Sequence, residues 1–247
     1  MIYRASCAMK AAAVVRVRKV EKSLADFEMA REMIEATENQ VIEDFIASFV
    51  MNQKADDTVN ILIACDKGMC GEFMSHISTY FKKNKHNGQF WLVFGSKLEI
   101  ACANSEKTVF MGNTFLNQME LFLAVGKIAD FVMSNKVHEI NFHYFVKDKI
   151  VVKEFCSRER VLRALAENAD QVKKKNIPVE HAQLLFASYL YQAMLSSMLE
   201  ENKQRLVAMT QAKTNAEDMG KLIARLYNKA RQEKITLELN EITAGII

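Results

Sequence analysis

The sequence of 247 residues has one proline and eight glycines, and neither type occurs among the first 67 residues. Six of the glycines lie between Gly68 and Gly126, and after Pro178 only Gly220 and Gly245 occur. Gly and Pro interrupt helices and mark turns. The sequence therefore predicts two long, uninterrupted terminal segments around a folded middle.

Other absences narrow the functional class. No run of about 18 apolar residues is present, so the sequence predicts no transmembrane helix, and charged residues interrupt the only candidate for a signal-peptide core. The net charge of +3 is too small to indicate nucleic-acid binding. The cysteines are odd in number and scattered, which excludes a disulfide framework and favours a reducing compartment. They are Cys7, Cys65, Cys70, Cys102 and Cys156.

Apolar residues recur at steps of three and four in the N-terminal segment, for example at Val17, Val20, Leu24 and Phe27. This spacing is typical of a helix with one apolar stripe and predicts a helix over about residues 3–51. A similar stripe returns after Pro178 and continues to about residue 243. The second helix is the longer one, so its last turns are expected to extend beyond the first helix.

The spacing of apolar residues changes in the middle of the chain. Short β-rich runs at residues 58–65, 90–95, 138–146 and 149–155 alternate with helical patterns near residues 72–83 and 115–135. Alternation of strands and helices predicts a mostly parallel sheet.

The predicted fold class is therefore α/β. A small Rossmann-like domain over residues 53–177 is flanked by two long terminal helices, residues 1–52 and 178–247, that form an antiparallel coiled coil. Asn202 and Arg205 fall at positions where a coiled-coil core prefers Leu. We expect this pair of helices to be weak, or to lie inside something larger.

The loop CDKGMCG, Cys65 to Gly71, follows the first predicted strand, where α/β sheets commonly bind ligands. One interpretation makes Cys70 a nucleophile at a helix N-terminus, with Lys67 holding an anion. The other is a tight strand-to-helix turn in which Cys70 is a small buried group. The second is favoured because no motif nearby supplies a histidine base. The sequence also lacks the common nucleotide, zinc-protease and hydrolase motifs, and no His pair has a spacing that indicates a metal site.

Three separated segments resemble the gamma subunit of F-type ATP synthases. YNKARQ at residues 227–232, followed by IT, EL and EI, resembles the end of that family, and upstream Glu201, Arg205 and Met209 match its E…R…AM stretch. DKGMCG at residues 66–71 resembles the family's D-K/R-G-L-C-G loop, and AMKAAA at residues 8–13 resembles its N-terminal AMKMVAAAK. The segments occur in the family's order. The family has a further helical stretch before AMKM, so this sequence is short at its N-terminus by comparison.

The resemblance implies a rotor subunit of the central stalk, which transmits torque between a proton-driven c-ring and a catalytic ring of alpha and beta subunits. The implied partners are the alpha, beta, epsilon and delta subunits and the c-ring, with no nucleic acid and with membrane contact only through the complex. It implies no catalytic residue, cofactor or metal in this chain, because catalysis belongs to the beta subunit. The implied location is the cytoplasmic face of a bacterial inner membrane or, alternatively, the matrix face of a mitochondrial one.

The resemblance also implies two sets of contact residues. The loop set, expected toward the c-ring and epsilon, is Asp66, Lys67, Gly68, Cys70 and Gly71. The set expected to face the alpha/beta ring is Met9, Lys10, Glu201, Arg205, Met209, Asn215, Tyr227, Asn228, Lys229, Arg231, Gln232, Thr236, Glu238 and Glu241. Two other hypotheses remain open from the residues alone: an α/β enzyme that uses Cys70, and a coiled-coil adaptor without a torque role.

Overall fold

The computed structural model describes residues 2–50, 57–85, 88–103, 107–114, 117–135, 137–156 and 179–245. Five α-helices and five strands are present in these ranges, together with one turn of 3-10 helix at Ser96–Leu98. In chain order they are α1 (Ile2–Val50), β1 (Asp57–Ile63), α2 (Phe73–Asn84), β2 (Phe90–Phe94), α3 (Glu99–Cys102), β3 (Thr108–Gly112), α4 (Gln118–Asn135), β4 (Val137–Val146), β5 (Lys149–Cys156) and α5 (Val179–Ala244).

The strands form one sheet in the order β3-β2-β1-β4-β5. The first four strands are parallel, and β5 joins antiparallel to β4. Lys147 and Asp148 connect β4 to β5 with φ angles of 47° and 60°, the backbone twist that a two-residue hairpin requires. β1 lies at the centre of the sheet, and Ile61 faces Leu92 on one side and Phe142 on the other. The predicted α/β class with a mostly parallel sheet is confirmed.

Helices cover both faces of the sheet. One apolar cluster joins the sheet to α4 and to the first turns of α5, where Leu190 and Met194 are completely buried. The other cluster joins the opposite face to α2 and α3, with Phe73 and Phe81 at its centre. This three-layer packing is what allows a parallel sheet to bury both faces. The first part of α5 is therefore a helix of the globular domain as well as the start of the long terminal helix.

A buried polar network lies between α2 and the sheet. The His143 ring contacts the Tyr80 hydroxyl through Nδ1 and the Asn60 side-chain oxygen through Nε2, each at 2.8 Å. The Asn60 amide in turn donates to Gln89 at 2.8 Å, so Nε2 is the protonated nitrogen and Nδ1 accepts from Tyr80. Burial lowers the pKa of His143 to about 4. The ring is therefore neutral and is held by two hydrogen bonds.

The two long helices pack antiparallel. Tyr3 lies over Lys213, Glu21 pairs with Lys203, and Phe27 meets Tyr191, so position along α1 rises as position along α5 falls. On α1 the buried residues Ser6, Ala13 and Val20 recur every seven positions, the repeat of a coiled-coil seam. The predicted antiparallel coiled coil is confirmed. None of the helices in the described ranges is long and apolar enough to span a bilayer.

Candidate functional site

The loop after β1 is held at the C-terminal edge of the sheet by Asp66. One carboxylate oxygen accepts a hydrogen bond from the Ser96 amide at 3.0 Å. The other accepts from the amide and the hydroxyl of Thr114, at 2.9 and 2.5 Å. Ser96 follows β2 and Thr114 follows β3, so one carboxylate ties together the ends of three neighbouring strands. Met69 and Gly71 then turn the chain into α2 with φ angles of 62° and 58°.

Arg205 of α5 reaches across to this loop. Its guanidinium donates to the carbonyls of Lys67 and Gly68 at 3.3–3.5 Å, to the Asn202 side-chain oxygen at 2.9 Å and to the Glu201 carboxylate. The Arg205 and Glu201 side chains are 8% and 7% exposed. We call the set Lys67, Gly68, Glu201, Asn202 and Arg205 the junction, because it joins the globular domain to the long helix.

The two buried charges of the junction, on Glu201 and Arg205, pair with each other inside the chain. Burial raises the pKa of Glu201, and its contact with Arg205 opposes that rise. A buried carboxylate keeps its charge only beside such a partner. Close backbone packing adds to the junction: a Cβ on Gly71 would lie 3.5 Å from the Gln204 side chain and 3.9 Å from Ala208.

A cavity of about 280 Å³, lined mainly by charged and polar residues, opens beside the junction. Asp66 and Thr114 line it from the domain side and Arg205 from α5, while Arg16 and Lys19 line it from α1. The junction is therefore the place where both long helices and the sheet edge come together.

The two cysteines of the loop lie inside the domain. Cys65 and Cys70 are 0% and 2% exposed, and their sulfurs are 3.8 Å apart. The hydrogen bond from Cys65 lowers the pKa of Cys70 to about 7, and the same bond together with burial raises the pKa of Cys65. A thiol closed off from solvent does not fit an enzyme nucleophile, so the tight-turn interpretation of the loop is the one that matches the geometry.

The second candidate surface is the end of α5. Every residue from 217 to 245 is exposed, and at 1.5 Å per residue this stretch extends for about 43 Å. Tyr3, near the beginning of the described part of α1, contacts Lys213 of α5. We call residues 217–245 the bare segment. Nine large apolar side chains are exposed on it: Met219, Leu222, Ile223, Leu226, Tyr227, Ile235, Leu237, Leu239 and Ile242.

The residues expected to face an alpha/beta ring divide into two groups. Glu201, Arg205 and Met209 are buried, at 5%, 7% and 7% exposure, and the first two belong to the junction. On α1, Met9 is 40% exposed and Lys10 is half-buried. The other members are exposed on α5: Asn215, Tyr227, Asn228, Lys229, Arg231, Gln232, Thr236, Glu238 and Glu241.

The loop set is also divided. Lys67 and Gly68 are exposed, and their backbone carbonyls accept hydrogen bonds from Arg205. Cys70 points into the core, and Gly71 faces α5. Sequence reasoning missed Ser96 and Thr114, the partners of Asp66. The polar residues Asn202 and Arg205 in an otherwise apolar stripe were the one signal that pointed to the junction.

Fold and site together define a class of protein: a small α/β domain fastened to an antiparallel helical shaft whose end is bare. The residues that hold the domain are buried in the chain itself, while the shaft end has apolar and charged side chains without cover. No feature of an enzyme active site accompanies them in the described residues. A helix end with uncovered apolar side chains is typical of a surface that another protein covers.

Comparison with known proteins identifies the family. Residues 3–246 match the family described as ATP synthase. The ATP synthase gamma chain of Neisseria meningitidis serogroup B is 30% identical in an alignment of 212 positions, gaps included, that covers 75% of this chain and 72% of that one. The gamma chain of Mycoplasma mobile is 25% identical in an alignment of 264 positions, gaps included, that covers 96% of this chain and 91% of that one. The chain therefore belongs to the ATP synthase family and, within it, to the gamma chains of the central stalk.

Solved structures agree with this fold. A chain of the Euglena gracilis mitochondrial ATP synthase, from an assembly of OSCP, F1 and c-ring, superimposes with a TM-score of 0.62 at 14% identity over 93% of both chains. A chain of the Tetrahymena thermophila mitochondrial ATP synthase central stalk and c-ring gives a TM-score of 0.54 at 21% identity, covering 84% of this chain and 98% of that one. The overall arrangement of domain and long helices is thus that of ATP synthase central stalks.

Proposed function

We propose that this gamma chain is a rotating shaft that itself carries out no catalysis. In this proposal the bare segment of α5 enters a ring of alpha and beta subunits, and the globular domain faces the c-ring and the epsilon subunit. The chain then turns as the c-ring turns, and the asymmetric shaft drives the nucleotide sites of the ring in sequence. Catalytic groups lie in the surrounding subunits.

The bare segment is the observation that carries the proposal. An isolated helix is only marginally stable in water, and most helical stability in proteins comes from packing of an apolar face. A contiguous apolar surface without cover marks an interaction site. A helix end about 43 Å long, with nine large apolar side chains exposed, therefore needs a surrounding partner.

The charges of the bare segment fit a partner that moves around it. The segment contains five basic and five acidic residues, so its net charge is zero. Lys229 pairs with Glu233 and Lys234 with Glu238 one helical turn apart, at 3.8 and 3.7 Å. Internal pairing and a net charge of zero limit the electrostatic preference for a single orientation, which keeps the rotational states closer in energy.

The junction supplies the mechanical link that torque requires. Arg205 binds the backbone of the loop, and Asp66 binds the ends of β2 and β3, so a force on the sheet reaches α5 through partly buried hydrogen bonds. We assign Glu201 and Arg205 to this link and the exposed members of the predicted set to the ring. The location follows from the partners: peripheral, on the cytoplasmic face of a bacterial inner membrane.

Deletion variants in the assembled complex test the proposal. Removing residues 227–242 takes away apolar surface and paired charges over four turns, and we expect it to abolish coupling of ATP hydrolysis to proton transport. Removing only the residues from Thr243 onward shortens the exposed end of α5 and should be tolerated, because chain termini are where truncation is most often tolerated. Proton pumping and ATP hydrolysis are measured together on inverted membrane vesicles.

A matched pair of point variants separates the bare segment from the rest of α5. Leu226→Asp changes an apolar residue of the bare segment that is 57% exposed. Val207→Asp changes a residue of similar exposure, 66%, in the part of α5 that packs against α1. The proposal expects a large loss of coupling only for the first. Equal loss from both, or equal loss from both deletions, would contradict it. ATP hydrolysis by the purified chain alone would also contradict it.

A further inference from the structure

Three sulfur atoms from one short stretch of chain meet at the C-terminal end of β1. The Cys65 sulfur lies 3.8 Å from that of Cys70 and 3.6 Å from that of Met74. Both cysteines are free thiols in the core, and Met74 is half-buried at its edge. We propose that these three sulfurs form a binding site for a soft monovalent metal ion, and that the ion it fits best is Cu(I).

The spacing of the sulfurs supports ligation. With a metal–sulfur bond of about 2.3 Å, ligands arranged at trigonal or tetrahedral angles around one ion lie about 3.8–4.0 Å apart. Both separations from Cys65 are within about 0.4 Å of this value. A disulfide between Cys65 and Cys70 needs a sulfur separation of about 2.05 Å, so the loop would have to close by about 1.8 Å. The reduced pair is thus already spaced for an ion.

The donor set selects the metal. Thiolate and thioether sulfur are soft ligands that favour Cu(I), while zinc is usually held by four Cys, His or carboxylate ligands. Nowhere in the described part of the chain do three or more His, Cys, Asp or Glu side chains gather into a potential metal site. The third ligand here is a methionine, and this excludes the hard cations and favours an ion that accepts low coordination with sulfur.

Binding requires both thiols to lose their protons, and the positive charge of Arg205 offsets part of the negative charge that results. Binding converts two thiols and one Cu(I) ion into a copper bis-thiolate with a single negative charge, and two protons leave to solvent. The sulfur of Met74 completes the coordination, and its half-exposed side chain gives the ion a route in.

Occupation of this site would act on the junction. The sulfurs bracket the loop whose Lys67 and Gly68 carbonyls bind Arg205. A bound ion would fix the start of α2 to the end of β1 and so stiffen the segment against which α5 is held. The proposal concerns this loop alone and stands or falls independently of the rotor function.

The test is a competition titration of the reduced, full 247-residue chain with Cu(I) under anaerobic conditions, using bicinchoninate as the coloured competitor. We expect one Cu(I) per chain, and X-ray absorption of the complex should show three sulfur ligands. Cys70→Ala should remove the site. Met74→Leu conserves volume at a half-buried position, so the chain should stay folded while its affinity falls at least tenfold.

Two control variants distinguish the site from adventitious thiol binding. Cys102→Ala removes another buried thiol, and Cys7→Ser removes the half-buried thiol of α1. Neither should change affinity or stoichiometry. The proposal would be overturned if the competitor stripped all the copper, or if Met74→Leu and Cys70→Ala bound like the parent chain. Conversion of Cys65 and Cys70 to a disulfide with no copper retained would overturn it as well.

Discussion

Two ion pairs of the same spacing lie on the same helix in opposite environments. Glu201 and Arg205 pair one turn apart in the junction, where their side chains are at most 8% exposed. Lys229 and Glu233 pair one turn apart in the bare segment, where their side chains are 74% and 64% exposed. The spacing is the same, although the acid precedes the base in the first pair and follows it in the second. The larger difference between the two pairs lies in what surrounds the helix.

The difference teaches how the chain separates two tasks along one helix. Exposed pairs contribute about 0.3–0.5 kcal/mol and are easily broken and remade. A buried pair with further hydrogen bonds is costly to break, because either partner left alone is an uncompensated charge. The junction is therefore committed to internal structure, while the bare segment keeps its side chains available for other subunits.

The largest expected effect comes from breaking the junction. Arg205→Ala leaves the buried Glu201 carboxylate without its partner and removes the donor to the Lys67 and Gly68 carbonyls. We expect a loss of about 3–5 kcal/mol in the free energy of unfolding, measured by urea denaturation of the isolated chain.

The matched control is Arg225→Ala in the bare segment, where the arginine is exposed. Its effect on the isolated chain should stay within about 0.5 kcal/mol. If the two variants were equally stable, the distinction between junction and bare segment would be wrong.

A somewhat smaller change in the free energy of unfolding is expected when the pH is lowered, because of His143. Its pKa in the folded chain is about 4, below the value of about 6.5 for an unfolded chain, so below pH 6.5 the unfolded state binds a proton that the folded state does not. Stability is complete above pH 6.5 and falls as the pH drops toward 4. Between pH 7 and pH 4.5 this residue should cost about 2.5 kcal/mol, measured as the change in urea-unfolding free energy.

The contribution of His143 is isolated by substitution. The His143→Gln variant should lose about 2.5 kcal/mol less than the parent chain over the same pH interval. A parent-like pH profile for His143→Gln would mean that the His143 ring does not resist protonation in the folded chain.

The smallest effects are expected from substituting two glycines with alanine, and the two changes in stability should have opposite signs. Gly71 has a φ of 58° beside α5, whereas Gly220 lies inside the bare segment with open space around it. Gly71→Ala should destabilise the chain by about 1 kcal/mol, because a side chain strains the left-handed backbone. Gly220→Ala should raise the stability of the local helix by about 0.8 kcal/mol.

Urea unfolding measures the first glycine variant, and circular dichroism during heating measures the helicity of the second. Effects of the same sign would indicate that Gly220 is packed or bent rather than exposed on a regular helix.

Much of the fold could be predicted because its signals are local. The two long terminal helices and the strands β1, β2, β4 and β5 were predicted to within about two residues in the described ranges. β3 was missed because it is a five-residue edge strand that is only half-buried and therefore has little apolar patterning. The role of the first part of α5 in the sheet core was also missed, since a helix stripe does not say what it packs against.

The site was harder to predict because its contacts join distant parts of the chain. Arg205 and Lys67 are 138 positions apart, and no spacing rule connects them. The stripe placed Arg205 at a coiled-coil seam, and only the structure shows that the loop after β1 satisfies its donors. The bare segment, by contrast, was expected from helix length alone, because the longer helix extends beyond its partner.

Amide hydrogen exchange of residues 217–245 tests the central claim most directly. It is measured first on the isolated chain and then on the complex assembled with alpha and beta subunits, with the core strand β1 as the internal reference. The account predicts rapid exchange in the isolated chain, where no packing protects the helix, and strong protection after assembly, with β1 protected in both. Protection in the isolated chain, or rapid exchange that persists in the assembled complex, would contradict it.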